Sequence, residues 1–290
     1  MREFSGSLTS PAVLAGLFRE FGVVPLKKLG QNYLVDANVL SRIASAADLG
    51  EDSFCLEIGP GAGALTAQLA LRAARVVAVE VDRGLIPLLQ FTLQAFDNVR
   101  IVHGDILRQD LHALADEHFC GAPFAVAANL PYNITTPAIM LLLENGLPVT
   151  HMVLLVQREA GERLNAKPGT KEYGALSVAA QWAYTAQTLF AVSPNCFMPK
   201  PRVESVVVRL QARERPVADV DDRRAFFGMV RALFAMRRKT VLNNLLAYRR
   251  DMGREAALFA LETAGIRPDA RTETLPIAAL AGLYAVVHGK

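Results

Sequence analysis

The sequence predicts an α/β fold: a doubly wound, mostly parallel sheet followed by a small all-helical domain. Short apolar runs that suit buried strands alternate with helical patterns between residues 54 and 157. A charged stretch ending in proline follows at 211–216, and beyond it only helical patterns occur. Strand–helix alternation is typical of parallel sheets covered by helices on both faces. We therefore predict two domains, residues 1–212 and residues 213–290.

The elements are assigned from apolar periodicity, caps and chain breakers. Strands are predicted at 54–58, 75–81, 98–103, 124–128, 151–157, 187–192 and 204–210. Helices are predicted at 11–21, 36–49, 64–71, 83–95, 136–143, 174–183, 221–234, 237–246, 254–264 and 277–287.

Composition narrows the class of protein. Hydrophobic residues make up 52 % of the 290 residues and the net charge is only +3, so the total charge does not establish a nucleic-acid partner. No apolar run is long enough to cross a bilayer, and the three isolated cysteines and scattered histidines form no metal-ligand pattern. His112 and His118 fall in what reads as a polar connection. We expect a cytoplasmic monomer without membrane association or a metal.

A glycine-rich turn follows the first buried strand. Gly59, Gly61 and Gly63 are two residues apart, whereas a dinucleotide fingerprint places its third glycine five residues after the first. The turn lets the backbone approach a ligand closely. A tight strand-to-helix turn without a ligand is the alternative that this motif alone leaves open.

Carboxylates end the next two strands. Glu80 can accept hydrogen bonds from both hydroxyls of a ribose, and Asp82 is better placed to cap the following helix. Asp105 can accept from an adenine amino group or, equally, cap a helix. The carboxyl ends of parallel strands meet at one edge of the sheet, so these residues together predict an adenosine-containing cofactor.

The segment Asn129-Leu130-Pro131-Tyr132 ends the fourth strand. The Asn129 side-chain oxygen and the Pro131 carbonyl can hold the two hydrogens of an adenine amine, whose lone pair then faces a methyl donor. Tyr132 offers a ring on which a flipped-out base stacks. Phe197, in a proline-rich loop, is predicted to close the other face of the base; a buried loop anchor is the alternative.

With these segments the chain closely resembles the ribosomal RNA adenine dimethyltransferases that modify small-subunit RNA. The matching strings cover residues 29–34, 57–66, 129–137, 173–178, 197–205 and 238–240. The resemblance implies an S-adenosylmethionine methyltransferase fold. It also implies two methylations on each of two adjacent adenines in a hairpin near the 3′ end of 16S RNA.

The resemblance adds residues that the patterns do not supply. It implies that the cofactor is contacted by Asn32 and Leu34, together with Gly59, Gly61, Glu80, Asp105 and Asn129. Tyr33 stands where the family usually has phenylalanine. The small helical domain is expected to contact RNA, and the candidate cations are Lys27, Lys28, Lys200, Arg202, Arg231, Arg237, Arg238, Lys239, Arg249 and Arg250.

Two alternatives remain at this stage. A related enzyme could dimethylate large-subunit RNA, although the strings at 197–205 and 238–240 favour the small subunit. A non-catalytic nucleic-acid-binding assembly factor could share the fold, but it predicts a degraded tetrad at 129–132, which is intact here.

Overall fold

A seven-stranded sheet forms the centre of the fold in the computed structural model, which describes residues 4, 6–26 and 29–289. Numbered along the chain, its strands lie in the order β4 (Val99–His103), β3 (Arg75–Glu80), β2 (Phe54–Ile58), β5 (Phe124–Asn129), β6 (Val149–Gln157), β9 (Ser205–Ala212) and β7 (Tyr184–Val192). β2 pairs in parallel with β3 and β5, β3 with β4, and β5 with β6, whereas β9 runs antiparallel to β6. The predicted doubly wound, mostly parallel sheet is confirmed.

The strands are β1 (Tyr33–Leu34), β2 (Phe54–Ile58), β3 (Arg75–Glu80), β4 (Val99–His103), β5 (Phe124–Asn129), β6 (Val149–Gln157), β7 (Tyr184–Val192), β8 (Phe197–Met198) and β9 (Ser205–Ala212). The helices are α1 (Pro11–Glu20), α2 (Ala37–Ala46), α3 (Ala64–Ala70), α4 (Ile86–Thr92), α5 (Leu111–Phe119), α6 (Thr135–Glu144), α7 (Arg158–Asn165), α8 (Ala175–Ala183), α9 (Arg223–Phe234), α10 (Val241–Tyr248), α11 (Arg254–Thr263) and α12 (Ile277–His288).

Two helices, α5 and α7, were not predicted from the sequence. The expected polar connection around His112 and His118 is α5: Asp110 caps it by accepting from the amides of residues 112 and 113, and Leu111, Leu114 and Phe119 are buried. The second, α7, is a mostly polar helix. It buries few apolar residues among many charged ones, so no helical repeat of apolar residues is recognisable in its sequence.

The helix predicted at 237–246 begins later than expected. Thr240 accepts from the amide of Asn243 as the N-cap, and α10 starts at Val241. Arg237, Arg238 and Lys239 therefore lie in the turn before the helix.

Two compact units make up the chain. The first comprises Met1–Ala138, Leu147–Gly161 and Gln187–Ala212, and the second comprises Ile139–Gly146, Glu162–Ala186 and Arg213–Lys290. The second unit thus includes two segments that the sequence analysis placed in the first domain. A contiguous boundary at residue 212 does not describe these units.

Aromatic packing explains why 162–186 belongs to the second unit. The ring of Trp182 on α8 packs 5.5 Å from that of Phe227 and 6.2 Å from that of Phe226, both on α9. The indole nitrogen of Trp182 donates to the carbonyl of Ala218 at 2.8 Å. An ion pair between Glu144 and Arg231 links the segment 139–146 to α9 of the same unit. These contacts join residues far apart in the sequence, so the residues around position 212 do not indicate which segments belong to the second unit.

Candidate functional site

A cavity of about 260 Å³ opens at the carboxyl ends of β2, β3 and β5 in the first unit. The strand order reverses direction between β2 and β5, which is where ligands bind in open α/β sheets. Nine of the predicted site residues line this cavity: Asn32, Leu34, Gly59, Gly61, Glu80, Asp105, Asn129, Pro131 and Tyr132.

The glycine turn forms the floor of the cavity where β2 ends. Gly59 and Gly61 have φ values of +69° and +60°, in the left-handed region that favours glycine. A Cβ on Gly61 would lie 3.1 Å from the ring of Tyr33, and one on Gly59 would lie 3.4 Å from Pro131. Side chains at both positions would therefore strain the backbone, and one at Gly61 would also crowd the ring of Tyr33.

Glu80 is a buried carboxylate held by main-chain amides. Its two oxygens accept from the amide of Asp82 at 2.8 Å and from that of Gly61 at 3.3 Å, and only 4 % of the residue is exposed. Burial raises the pKa of Glu80 to about 7, against the lowering effect of these hydrogen bonds. As the sequence predicts, Asp82 forms the cap of the next turn by accepting from the amide of Gly84.

Glu57 is a second carboxylate in the wall of the cavity, and sequence analysis gave it no role. It is 1 % exposed, and its Oε2 atom has no hydrogen-bond partner among the described residues. Burial raises the pKa of Glu57 to about 8; the neighbouring Thr66 hydroxyl lowers it, and the Glu80 carboxylate adds to the rise. The cavity therefore contains a polar atom that a bound polar ligand could satisfy.

Asp105 makes the helix-capping contact, which is one of the two alternatives that the sequence left open. Its Oδ1 accepts from the amide of Leu107 at 3.0 Å and caps a short 3₁₀ turn, while Oδ2 lies 3.7 Å from the exposed guanidinium of Arg108. Ile106 and Leu107 line the cavity beside it. An apolar surface next to an acceptor suits a heterocyclic base.

Asn129 is oriented by the loop that contains Asn32. Its Nδ2 donates to the main-chain carbonyl of Asn32 at 2.9 Å. Because a carbonyl only accepts, this contact places the nitrogen toward Asn32 and leaves Oδ1 as the acceptor of the side chain. That is the atom predicted to hold an amine hydrogen.

The Pro131 carbonyl differs from the expectation that it stays available. It accepts from the amide of Ile134 and from the hydroxyl of Thr135, each at 3.1 Å. These contacts close the first turn of α6, so both lone pairs are engaged. The expectation of a free carbonyl is wrong for this arrangement, and an amine could use it only after the Thr135 hydroxyl rotates away.

Tyr132 lines the cavity with a ring that is fixed at its far end. Its hydroxyl lies 2.7 Å from the hydroxyl of Ser205, which is fully buried at the start of β9. Partial burial raises the pKa of Tyr132, so the phenol stays neutral at physiological pH.

For the methyl transfer that the sequence predicts, we expect Tyr132→Phe to retain most of the activity and Tyr132→Ala to lose about tenfold to a hundredfold in kcat/KM. Stacking of a base on an aromatic ring contributes about 1–3 kcal/mol, and the phenylalanine ring preserves it. Steady-state methylation assays compare the variants. Equal losses in the two variants would show that the hydroxyl, and not the ring, carries the effect.

Phe197 does not line the cavity. It pairs with Leu34 in the two-stranded β1–β8 ladder, and its ring is 4 % exposed within the hydrophobic core of the first unit. The expectation of an exposed aromatic tip is therefore wrong, because the ladder turns the ring inward, as in the buried-anchor alternative. The ladder itself was missed because two-residue strands carry no periodic signal.

The loop at 29–34 supplies cavity-lining residues that local patterns did not reveal. Gln31 donates from Nε2 to Asp82 at 2.9 Å and accepts from the amide of Leu26 at 2.7 Å. The segment before residue 25, which was given no role, also contributes Leu8 and Leu14 to the lining. Only a resemblance could have pointed to this loop, since its contacts join residues far apart in sequence.

Comparisons with known proteins identify the family of the chain. Residues 26–287 match the family model for ribosomal RNA adenine dimethylases. A small-subunit ribosomal RNA methyltransferase A of Geobacillus thermodenitrificans is 47 % identical over 279 residues, covering 95 % of each chain. Its counterpart in Shouchella clausii is 46 % identical over 92 % of this chain and 91 % of its own.

This chain belongs to the ribosomal RNA adenine dimethylase family. Among solved structures, the 23S rRNA methyltransferase ErmE is 26 % identical with a TM-score of 0.63, over 87 % of this chain and 98 % of its own. A dimethyladenosine transferase from Plasmodium falciparum has the same fold, with a TM-score of 0.69 at 24 % identity over 86 % of this chain and 95 % of its own. The protein is a methyltransferase that acts on ribosomal RNA.

Enzymes of this family use S-adenosylmethionine, and the cavity fits that cofactor. The positive-φ glycines leave room for a ligand against the backbone, and the unpartnered Glu57 Oε2 can be satisfied by a polar ligand group. Glu80 and Asp105 add two carboxylates to the wall of the same cavity. No helix in the described part of the chain is long and apolar enough to cross a membrane.

The candidate RNA-binding cations fall into two groups. Arg231, Arg237 and Arg249 are paired with Glu144, Glu273 and Asp251. Lys200, Arg202, Arg238, Lys239 and Arg250 are exposed. Lys27 and Lys28 lie outside the described residues. The exposed group provides the better candidates for phosphate contacts, because none of its charges is paired with a carboxylate in the part of the chain that the structure describes.

Proposed function

We propose that this protein dimethylates two adjacent adenines in a hairpin near the 3′ end of 16S RNA in the small ribosomal subunit. The two small-subunit relatives are 47 % and 46 % identical to it over nearly the whole chain, against 26 % for the large-subunit enzyme. The observation that carries the chemistry is the Asn129 amide, whose nitrogen is tied to Asn32 so that its oxygen is left to accept. An intact tetrad disfavours a non-catalytic assembly factor.

The chain's residues act by positioning. Glu80 holds the ribose and Asp105 the adenine of S-adenosylmethionine, while Gly59, Gly61, Asn32 and Leu34 shape the backbone around it. The cofactor supplies the methyl group as an electrophile. Asn129 Oδ1 accepts one hydrogen of the target amine and turns its lone pair toward that group, an arrangement that lowers the barrier through orientation.

The target adenine rests on the Tyr132 ring. The Pro131 carbonyl accepts the second amine hydrogen once the Thr135 hydroxyl has turned away, since a hydroxyl can rotate to another acceptor. Phe197 contacts the base only if its ring leaves the core, so Tyr132 carries most of the stacking.

Transfer of labelled methyl groups tests the substrate. Small subunits lacking the modification should accept two methyl groups on each of the two adenines, and subunits with both adenines replaced should accept none. Naked large-subunit RNA serves as the comparison. Labelling of large-subunit RNA alone would favour the alternative enzyme, and no labelling of either substrate would refute both proposals.

We further propose a cytoplasmic, monomeric enzyme that acts where small subunits mature. Residues of one chain line the whole described cavity, which supports a site that needs no second copy. Light scattering should give a mass near 31.5 kDa; a stable dimer would contradict the monomer.

A further inference from the structure

The loop before β1 joins two parts of the active site through one side chain. Gln31 donates from Nε2 to Asp82 Oδ2 at 2.9 Å, and its Oε1 accepts from the amide of Leu26 at 2.7 Å. The side-chain amide thus uses its donor and its acceptor at the same time, and each is matched to a partner of opposite type.

Asp82 is connected to the proposed ribose-binding carboxylate. Its amide donates to Glu80 Oε1 at 2.8 Å, and its own Oδ1 accepts from Gly84 at 3.0 Å. The Asp82 side chain is therefore fixed on one side by its own turn, and its second oxygen is free to receive Gln31.

On the other side of Gln31, the main chain reaches the catalytic amide. Asn32 donates from Nδ2 to the carbonyl of Gly30 at 3.0 Å and closes a tight turn, and its own carbonyl accepts from Asn129 at 2.9 Å. Gly30 has φ +64°, and a Cβ there would lie 2.9 Å from Asn133 Oδ1 and 3.3 Å from the Tyr132 amide. A shift of this turn would therefore disturb the whole tetrad.

We propose that Gln31 is a positioning residue for methyl transfer. It ties the Gly30–Asn32 turn to Asp82, and the turn in consequence sets the direction of the Asn129 amide. The proposal rests on the amine-orienting role of Asn129. A continuous path of hydrogen bonds and main chain then runs from Glu80 through Asp82, Gln31 and Asn32 to Asn129.

A swap of donor and acceptor tests the contact. In Gln31→Glu a carboxylate faces Asp82, so the donor is lost and two negative charges meet. In the double variant Gln31→Glu/Asp82→Asn, the new asparagine donates to the new carboxylate, which still accepts from Leu26. The charge of the pair is unchanged, and asparagine remains a good cap for the Gly84 turn.

We expect Gln31→Glu to lower kcat about tenfold at saturating cofactor, with a much smaller change in KM for the RNA. In the double variant kcat should recover to within about threefold of the wild-type value, because the effects of substitutions within one hydrogen-bond network do not add. Gln90→Glu makes the same substitution at an exposed position on α4 and should leave kcat unchanged. Additive losses in the double variant, or a fully active Gln31→Glu, would overturn the proposal.

A second readout does not depend on turnover. The side-chain amide protons of Asn129 can be followed by NMR in the cofactor-free protein and assigned by their absence in Asn129→Ala. Their shift should move in Gln31→Glu and return in the double variant. An unmoved shift would contradict the positioning role, whereas an inactive wild type with the expected shifts would count only against the proposed function.

Discussion

Asn129→Ala is expected to lower kcat for methyl transfer about a hundredfold to a thousandfold while cofactor affinity changes little. The substitution removes the Asn129 Oδ1 acceptor, and the Pro131 carbonyl cannot replace it while it accepts from Ile134 and Thr135. Loss of one preorganised hydrogen-bonding group in an active site has an effect of this size. Single-turnover methylation and calorimetric titration of the cofactor product measure the two quantities separately.

Asn98→Ala provides a matched control for that experiment. Asn98 also donates from Nδ2 to main-chain carbonyls, those of Ala70 and Ala73, both at 2.8 Å, but it lies away from the cavity. We expect this variant to be less stable to denaturant and to keep its turnover at 25 °C. Wild-type turnover in Asn129→Ala would refute the orienting role, and an equal loss in both variants would point to general destabilisation.

The sheet was predictable because its signal is local. β2 is a run of five residues, four of them apolar, that ends in a glycine turn, and β3 ends in Glu80, the carboxylate proposed to bind the ribose. Parallel topology then brings the strand ends to one edge without further information. The site residues Gly59, Gly61, Glu80, Asp105 and Asn129 followed from that rule or from the strings around them, and all of them line one cavity.

The remaining parts of the site depend on the acceptor that α6 uses at its start and, elsewhere, on contacts between distant residues. Nothing near Pro131 in sequence shows that its carbonyl would be engaged, because the same helix start could be capped by another acceptor. The sequence around Phe197 predicts the tip of a loop. Its pairing with Leu34, more than 160 residues earlier, turns the ring inward instead. Gln31 gains its role only from Asp82, 51 residues away. Composition and periodicity do not predict such contacts.

Glu80→Gln should weaken cofactor binding about a hundredfold. The ionised carboxylate can accept from both ribose hydroxyls, whereas an amide offers one acceptor oxygen without the charge. Hydrogen bonds to charged groups contribute about 1.5–3 kcal/mol each, so a loss near 3 kcal/mol corresponds to roughly two orders of magnitude in Kd. Glutamine preserves the volume and the acceptor for the Asp82 amide, and of the two main-chain contacts it loses only the longer one, with the Gly61 amide at 3.3 Å.

The same carboxylate should make binding depend on pH. Burial raises the pKa of Glu80 to about 7 from its usual 4.5 in the cofactor-free protein, so the residue is mostly protonated at pH 6. The proposed hydrogen bonds from the ribose require the ionised Glu80 carboxylate. Cofactor binding should therefore release about one proton at pH 6, and the affinity for the cofactor should rise toward pH 8. Calorimetry in buffers of different ionisation enthalpy measures that proton, and the difference between wild type and Glu80→Gln isolates it from protons of the cofactor itself.

Stability without the cofactor should change with pH in the opposite sense. A carboxyl whose pKa is raised on folding keeps its proton in the folded state after the unfolded chain has lost it. The free energy of unfolding therefore falls as pH rises from 4.5 through about 7 for Glu80, and through about 8 for Glu57. Glu80→Gln should flatten the first part of that decline and leave the part due to Glu57. Identical slopes in wild type and variant between pH 5 and pH 7, measured by urea denaturation, would show that Glu80 is already ionised in the folded protein, and the cofactor would then bind without releasing its proton.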